Sequence, residues 1–427
     1  MASITRISDR SFRIRVSEGF DEKGKRKYLT ETFYPSARTP KAQEKEARRY
    51  SEDLERRIRS GRDYDSGQLT FREYTETFWK PRKIGTIEQT MLEGYISTLK
   101  RTVYPAVGHL RLNQINILHI QKIYDELTAA GKAPATIRQV HAVISDIFKF
   151  AYKMNIVAEN PCGRAVLPKM KPAHEIRFFT DEQTLNFLEA LTNGFDIQYP
   201  ERIRKNGRIL PAYSRHINVS FQWITYFNLA VYGGFRRGEL VGLTWADIDF
   251  DQRTIFINKA RARTQAGDIT KMPKSTHGIR AIILPESCFK LLRQWKREQL
   301  IIAFKLGYRW KGYYRKNEYD KNNVFIDLQS GVPMNVSTPT HKFKEVLSMY
   351  NKTHPADEQL PDIRLHDLRH TSATLLLANN VDIETVSHRL GHSKASTTLD
   401  IYGHAMKKMD SKASDTLESI LSTAKQA

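Results

Sequence analysis

Near the N-terminus, polar and apolar residues alternate, and this pattern then gives way to helical spacing. Residues 11–16 alternate with Arg13 and Arg15 on one face, which predicts a strand, and residues 28–34 predict another. Pro40–Arg59 carries apolar residues at roughly helical spacing and predicts a charged helix. Two or three strands and one helix predict a small β-sheet-plus-helix domain.

From about residue 69 to residue 160, apolar residues recur at helical spacing. The predicted helices cover residues 71–79, 88–103, 117–130 and 135–154. Basic residues lie along their surfaces, among them Arg138 and Lys149, and we find no obvious catalytic group there. The pattern predicts a helical bundle that holds a partner and does not transform it.

A Pro- and Lys-rich stretch at residues 167–172 predicts a boundary before the largest domain. Thr180 and Gln183 are spaced as a capping box at the start of a helix. Further on, the pattern predicts helices over 221–232, 289–304 and 340–350, and strands over 248–251, 254–258 and 279–284. A basic segment at residues 193–216 shows no strong pattern and receives no assignment.

These elements predict a mainly α protein with small β elements, built from several domains. The predicted domains are a small N-terminal β-sheet-plus-helix domain at 1–65, an α-helical bundle at 66–165, and a mixed α+β domain at 175–427.

The net charge of +21 and the pI near 9.7 favour a polyanionic partner, most simply nucleic acid. A ribosomal or membrane-surface protein would also be basic. However, the chain has no run of about eighteen apolar residues and no signal-peptide pattern at its N-terminus, so we expect no membrane partner. Two cysteines, Cys162 and Cys288, suit a reducing cytosol and exclude a Cys-rich zinc site.

Candidate chemistry concentrates in residues 365–402. His366 and Arg369 are three residues apart and share one face of a predicted helix that stops at Asn379 and Asn380. The next helix is expected to begin at a capping Asp382 and to end at Gly391, directly before His392. With Tyr402 these side chains could meet around one anion; two packed helices with satisfied histidines are the alternative.

Two further cations complete the candidate set, since Arg236 follows a glycine pair and Lys274 precedes a predicted strand. The six catalytic candidates are Arg236, Lys274, His366, Arg369, His392 and Tyr402. Two guanidiniums can bind the non-bridging oxygens of a phosphodiester, a tyrosine can attack the phosphorus, and a histidine can take its proton. A lysine can protonate the departing oxygen, and Lys271 is the alternative to Lys274. No acidic cluster accompanies the set, so we expect neither a metal nor a cofactor.

The order of these motifs resembles the active-site boxes of the tyrosine recombinases, and more narrowly of phage and conjugative-transposon integrases. The matching segments are 234–240, 273–275 with Arg280 beyond, 365–371, 390–393 and 401–402. The His-x-x-Arg-His and Leu-Gly-His boxes are the specific ones. Gly233 stands where many members have Thr, and we expect this departure to alter packing and not chemistry.

The resemblance implies that Tyr402 attacks the scissile phosphate, forms a 3′-phosphotyrosyl link and frees a 5′-hydroxyl. It implies that Arg236 and Arg369 bind the phosphate, that Lys274 is the general acid, that His366 is an acid/base and that His392 donates to the phosphate. The 66–165 bundle is similar to the core-DNA-binding domain, and residues 1–65 resemble, more weakly, an arm-DNA-binding domain.

The implied partner is double-stranded DNA at crossover and arm-type sites, bound by a homo-tetramer that assembles on DNA, with a DNA-bending accessory protein. The implied place is the bacterial host cytoplasm, in association with the nucleoid. The expected DNA-binding residues are Arg13, Arg15, Lys25, Arg26, Lys27, Arg138 and Lys149. For the N-terminal group a merely solvated charged face is the alternative.

Three other functions stay open on the sequence. A type IB topoisomerase uses a similar pocket to relax one duplex, whereas the arm-like domain and the His392 box favour recombination. A non-catalytic DNA-binding regulator could carry the same fold, although Tyr402 and both arginines count against it. A ribosome-associated protein would explain the charge and leave the six-residue set without a purpose.

Overall fold

The computed structural model divides into two compact units, Met1–Ala173 and His174–Ala427. The residues it describes are 3–20, 26–37, 39–59, 69–170, 177–204, 206, 208–272, 278–313, 315, 317–392, 396, 398 and 399.

The first unit begins with a three-stranded antiparallel sheet in the order β1-β2-β3, followed by a helix. These elements are β1 (Ser3–Ser8), β2 (Ser11–Phe20), β3 (Arg26–Phe33) and α1 (Pro40–Arg59). The alternation in β2 buries Ile14 and Val16 against Leu54 of α1, as predicted. β1 is exposed along its whole length, which explains why it carries no apolar alternation.

Helices make up most of the described remainder of the first unit. They are α2 (Phe71–Tyr74), α3 (Lys80–Lys83), α4 (Gln89–Thr98), α5 (Tyr104–Val107), α6 (Ile117–Ala129) and α7 (Pro134–Lys153). Five-residue π-helical segments, Thr75–Trp79 and Leu99–Val103, join α2 to α3 and α4 to α5. Their apolar faces form a core around Phe71, Tyr124 and Phe148, which is a separate cluster from that of the N-terminal sheet.

The second unit is mixed. Its helices are α8 (Asp181–Asn193), α9 (Phe221–Gly233), α10 (Arg237–Gly242), α11 (Glu286–Leu306), α12 (Thr338–Thr353), α13 (Asp367–Ala378) and α14 (Ile383–Leu390). Its strands are β4 (Phe195–Tyr199), β5 (Arg202–Ile203), β6 (Ile209–Leu210), β7 (Tyr213–Ile217), β8 (Ile248–Asp249), β9 (Thr254–Ile257), β10 (Ala260–Thr264), β11 (Gly267–Lys271) and β12 (Arg280–Ile283).

Helix α9 is the central element of this unit, because it is apolar on nearly every side and packs against α8, α11 and α13. β8, β9 and β12 form a three-stranded sheet in the order β12-β9-β8. The capping box at Thr180 and Gln183 is present, and the mainly α fold class with small sheets is confirmed.

Two parts of the second unit differ from the sequence prediction. The unassigned segment at 193–216 forms paired strands, β4 with β7 and β5 with β6. β10 and β11 form a hairpin that the pattern did not predict, and Lys271 ends β11 opposite Ala260. Lys271, the alternative to Lys274 as general acid, therefore belongs to a strand, and Lys274 lies outside the described residues.

Candidate active site

Helices α13 and α14 bring the His and Arg boxes together. Ala373 and Leu377 of α13 pack against Val386 and Leu390 of α14 in a small cluster of their own. Asp382 caps α14 by accepting a hydrogen bond from the Thr385 backbone N–H at 2.8 Å, as predicted. The cluster therefore fixes where the C-terminal end of α14 lies in relation to α13.

Gly391 ends α14 in the left-handed conformation, with φ of 66°, which was also predicted. Three successive carbonyls at this end each accept a hydrogen bond from a different arginine. The bonds run from Arg280 Nε to the Arg389 carbonyl (2.8 Å), from Arg369 Nη2 to the Leu390 carbonyl (2.6 Å) and from Arg236 Nη2 to the Gly391 carbonyl (3.3 Å). The last carbonyls of a helix lack partners within the helix, and its negative end favours cations. We call these three side chains the arginine cluster.

Arg369 connects two helix ends. Its guanidinium is buried, and Nη1 donates to the Gly234 carbonyl at 2.8 Å, just beyond the end of α9. Because Nη2 serves α14, one planar group spans the C-terminal ends of α9 and α14. The fork geometry of arginine allows this, and a lysine has only one nitrogen to offer.

Arg236 is the N-cap residue of α10. Its Nη1 donates to Glu239 Oε1 at 2.9 Å, and its backbone N–H donates to Glu239 Oε2 at 2.9 Å. Its side chain remains 40% exposed, so it can still meet a ligand from solvent. The neighbouring Arg237 is exposed and donates to Thr340, so Arg236 is the inward one of the pair.

Two members of the network, Arg280 and Glu239, were not among the candidates. The Arg280 side chain is 0% exposed and forms a bidentate pair with Glu239 at 2.8 and 3.1 Å. Burial raises the pKa of Glu239, but the hydrogen bonds and charge of Arg280, together with Arg236, outweigh burial and hold that pKa below its usual value. Glu239 therefore stays ionised and orients both arginines. The Arg-x-x-Glu spacing after the glycine pair was the available signal.

Two histidines belong to α13. His366 is its N-cap residue, and its ring lies edge-on to His370, with ring centres 5.4 Å apart. Partial burial lowers the pKa of His366, and the positive charges of Arg369 and Arg236 lower it further. Burial lowers the pKa of His370 to about 4. Both rings are therefore neutral at pH 7.

His392 follows Gly391 directly and shares a hydrogen bond with the Thr398 hydroxyl through Nδ1, at 2.8 Å. Burial lowers its pKa to about 4, and the charges of Arg369, Arg236 and Arg280 contribute. The region thus holds three cations and neutral imidazoles, a combination that suits an anion with developing negative charge.

Four of the six catalytic candidates lie among the described residues, and the structure brings them together: Arg236, His366, Arg369 and His392. Lys274 and Tyr402 lie outside the described residues. Gly233, the departure from the family pattern, is explained by packing, because a Cβ there would lie 2.0 Å from the Phe235 ring.

The expected DNA-binding residues belong to the first unit. Arg13 and Arg15 are exposed on the sheet face opposite Ile14 and Val16. Arg138 and Lys149 are exposed and lie eleven residues apart on one face of α7, where Arg138 donates to the Pro168 carbonyl at 3.2 Å. Lys25 lies outside the described residues, and Arg26 and Lys27 belong to β3.

Comparisons with known proteins identify related families. The family model of the phage integrase family matches residues 209–409, and the model of the phage integrase central domain matches residues 71–166. A "Tyrosine recombinase XerC-like" protein of Caldanaerobacter subterraneus subsp. tengcongensis is 27% identical over 96% of this chain and 96% of its own length. The ICEBs1 integrase of Bacillus subtilis is 24% identical over 73% of this chain and 72% of its own.

Solved structures share the fold at lower identity. The Tn1549 transposon integrase in complex with a circular intermediate DNA aligns with a TM-score of 0.61 and 19% identity, over 82% of this chain and 99% of that one. A lambda integrase dimer bound to a COC′ core site aligns with a TM-score of 0.53 and 17% identity, over 94% of this chain and 95% of that one. Among the residues described for this chain, no helix has the length and apolar character needed to cross a membrane.

Proposed function

The chain belongs to the phage integrase family and is a site-specific tyrosine recombinase, and on this premise we propose which of its residues carry each step. The observation that supports the proposal most directly is the convergence of Arg236, Arg369 and His392 at the end of α14. A scissile phosphate beside this end would meet planar N–H donors on fixed supports.

In the proposed first step, the Tyr402 hydroxyl oxygen attacks the phosphorus, and its proton passes to the neutral His366 ring. The bond from phosphorus to the 5′-oxygen breaks, and Lys274 supplies the proton for that oxygen. The products are a 3′-phosphotyrosyl link and a 5′-hydroxyl. In the second step a 5′-hydroxyl of the partner duplex attacks the link and releases Tyr402. One phosphoester bond replaces another at each step, so the reaction needs no ATP.

Arg236 and Arg369 would stabilise the two non-bridging oxygens as charge grows in the transition state, and His392 would donate to the same phosphate. The lowered pKa of His366 serves its role, because only the neutral ring can accept the phenolic proton. Glu239 and Arg280 act as positioning residues, since they contact Arg236 and the end of α14 and their own side chains are buried.

For the whole protein we propose double-stranded DNA as the partner, with crossover sites bound by residues 66–165 and 175–427 and arm-type sites by residues 1–65. The separate cores of the N-terminal sheet and of the helical bundle support dividing the first unit in this way. A lambda integrase tetramer bound to a Holliday junction is one of the solved relatives, and a homo-tetramer on DNA is our proposal here. A DNA-bending accessory protein and a cytoplasmic, nucleoid-associated location complete it.

The test is incubation with a duplex that carries a nicked candidate crossover site, followed by a denaturing gel. We expect a covalent protein–DNA band that Tyr402→Phe abolishes while DNA binding is kept, because the ring remains and only the nucleophilic oxygen is lost. Joining of two different duplexes separates recombination from relaxation of one duplex. A covalent band with the Tyr402→Phe variant would reject this nucleophile, and absence of any band with the unsubstituted chain would reject the reaction.

A further inference from the structure

The basic segment that the sequence left unassigned forms one ribbon, in which residues 195–199 pair with 213–217 and residues 202–203 pair with 209–210. Tyr199 lies opposite Tyr213, and three residues further along each strand Arg202 lies opposite Leu210, so both strand pairs keep one register. Pairing is interrupted where Pro200 and Pro211 occur, since proline has no N–H to donate. The Arg204 N–H donates to the Arg208 carbonyl at 2.9 Å near the tip.

The base of the ribbon is firmly attached, and the remainder projects. Phe195 and Ile197 are buried in the main core of the second unit, and β4 packs against α12. Beyond Ile197 no described residue of the ribbon is buried until the chain has passed Ile217. Six residues of extended chain, from Ile197 to Ile203, span about 20 Å. The stacked rings of Tyr199 and Tyr213, 4.7 Å apart, stiffen the middle.

Alternation along the ribbon separates two faces. Arg202, Arg204 and Arg208 belong to one face in this register, and Ile203 and Ile209 belong to the other. All three arginines are exposed, and none forms an ion pair with another described residue. Such a face holds three cations within a few residues near the tip. Glu201 belongs to the opposite face, and Asp196, which shares the arginine face at the base of the ribbon, hydrogen-bonds His216 at 2.9 Å.

We propose that this arginine face binds the phosphate backbone of duplex DNA next to the crossover site. Planar guanidiniums suit phosphate oxygens, and a two-stranded ribbon is narrow enough to follow or enter a groove. A second copy of the chain is the less suitable partner for this face, because a chain with a net charge of +21 complements three arginines less well than the DNA on which the proposed tetramer assembles. The inference rests on the proposed function, which supplies the duplex at this unit.

The ribbon would lengthen the DNA contact beyond the bases near the cleaved bond. About 20 Å of ribbon covers roughly six base pairs at 3.4 Å each. The function we assign to it is electrostatic, so it adds affinity and salt dependence without reading sequence. Ile203 and Ile209, which are 72% and 58% exposed, would lie towards the groove or towards solvent.

The test compares full-length variants on two duplexes, one ending at the crossover site and one extended by about ten base pairs, a helical turn. R202A/R204A/R208A should reduce the slope of log affinity against log salt on the extended duplex by roughly 2 to 3, at about 0.9 per lost phosphate contact. The short duplex should show a smaller change. The covalent Tyr402 band at low salt should remain, because none of the three arginines is among the residues proposed to act on the scissile phosphate.

The matched control is K290A/R297A/K305A, which removes the same charge from exposed positions of α11. It should leave the slope unchanged. A second variant replaces residues 200–212 by Asn-Gly, which closes the Tyr199–Tyr213 pair with a two-residue turn and should reproduce the triple substitution.

Equal slopes for the ribbon variant and the α11 control would overturn the proposal. Loss of joining by I203S/I209S, with an unchanged slope in the arginine variant, would assign the ribbon to a protein partner and also overturn it. Failure of the proposed function gives a different result, namely no covalent band with the unsubstituted chain.

Discussion

Arginines are concentrated in two regions of the second unit, the arginine cluster and the ribbon tip, and they differ in whether their guanidiniums have partners within the protein. In the arginine cluster at the end of α14, each guanidinium donates to backbone carbonyls, and two of them share Glu239. At the ribbon tip the guanidiniums are exposed and form no ion pair with described residues. The hydrogen bonds of the arginine cluster fix the positions of its N–H donors, whereas the exposed arginines of the ribbon contribute mainly a positive electrostatic potential. The first suits a transition state with defined oxygen positions, and the second suits a polyanion of any sequence.

If the cluster only holds the phosphate, the proton for the departing oxygen must come from elsewhere. We expect Lys274→Ala to slow cleavage of a normal phosphodiester by about 10²–10⁴-fold, the usual contribution of a general acid. With sulfur in place of the bridging 5′-oxygen, the leaving group needs no proton, and the variant should cleave close to the parent rate. Single-turnover cleavage of both substrates measures this.

Lys271→Ala is the control, since Lys271 is held in β11 opposite Ala260. It should behave like the parent on both substrates. Sulfur rescue of Lys271→Ala with Lys274→Ala left inactive would move the role to Lys271. Rescue of an Arg369 variant by sulfur would break the division between phosphate binding and proton supply.

Arg369 should not tolerate replacement by lysine. Arg369→Lys keeps the charge, but one ammonium cannot span the Gly234 and Leu390 carbonyls as the fork does. We expect cleavage to fall by about 10²–10³-fold, the usual cost of losing one preorganised donor to a developing oxyanion. The denaturing-gel rate measures it, with circular dichroism to show that the variant folds. Parental rates would mean that charge alone is enough in the cluster.

Much of this site follows from local sequence signals. Asp382 and Gly391 bound α14 as predicted because capping preferences act over a few residues. The importance of Arg280 could not be predicted in this way, since its partners Glu239 and Arg389 lie 41 and 109 residues away along the chain. The ribbon also escaped prediction, because a strand pair exposed on both faces lacks the apolar alternation that specifies register.

Burial also makes the histidines near the arginine cluster respond to acid differently from the histidine of the ribbon. His370 and His392 have a pKa of about 4 in the folded protein and about 6.5 when unfolded. As pH falls from 7 towards 4, the unfolded chain binds these protons first, so the free energy of unfolding should decrease. Urea unfolding between pH 7 and pH 5 measures the slope.

His392→Gln should reduce the slope of the unfolding free energy against pH by up to the amount that one bound proton contributes. On the ribbon, His216 hydrogen-bonds Asp196, which raises its pKa, so its contribution has the opposite sign and is lost as pH rises. His216→Gln should therefore make the slope steeper or leave it unchanged. A shallower slope for His216→Gln, or an unchanged slope for His392→Gln, would contradict the contrast in burial.

The smallest effect is expected when the three ribbon arginines are replaced by lysine, the same type of substitution as Arg369→Lys in the arginine cluster. R202K/R204K/R208K keeps three positive charges and removes only the planar forks. If the ribbon works through charge alone, affinity for the extended duplex should change by less than about threefold, which is under 1 kcal/mol, with the salt slope unchanged. Fluorescence anisotropy over a salt series measures both. A loss as large as that of the alanine variant would show that the forks matter, and the ribbon would then join the arginine cluster as a site of fixed geometry.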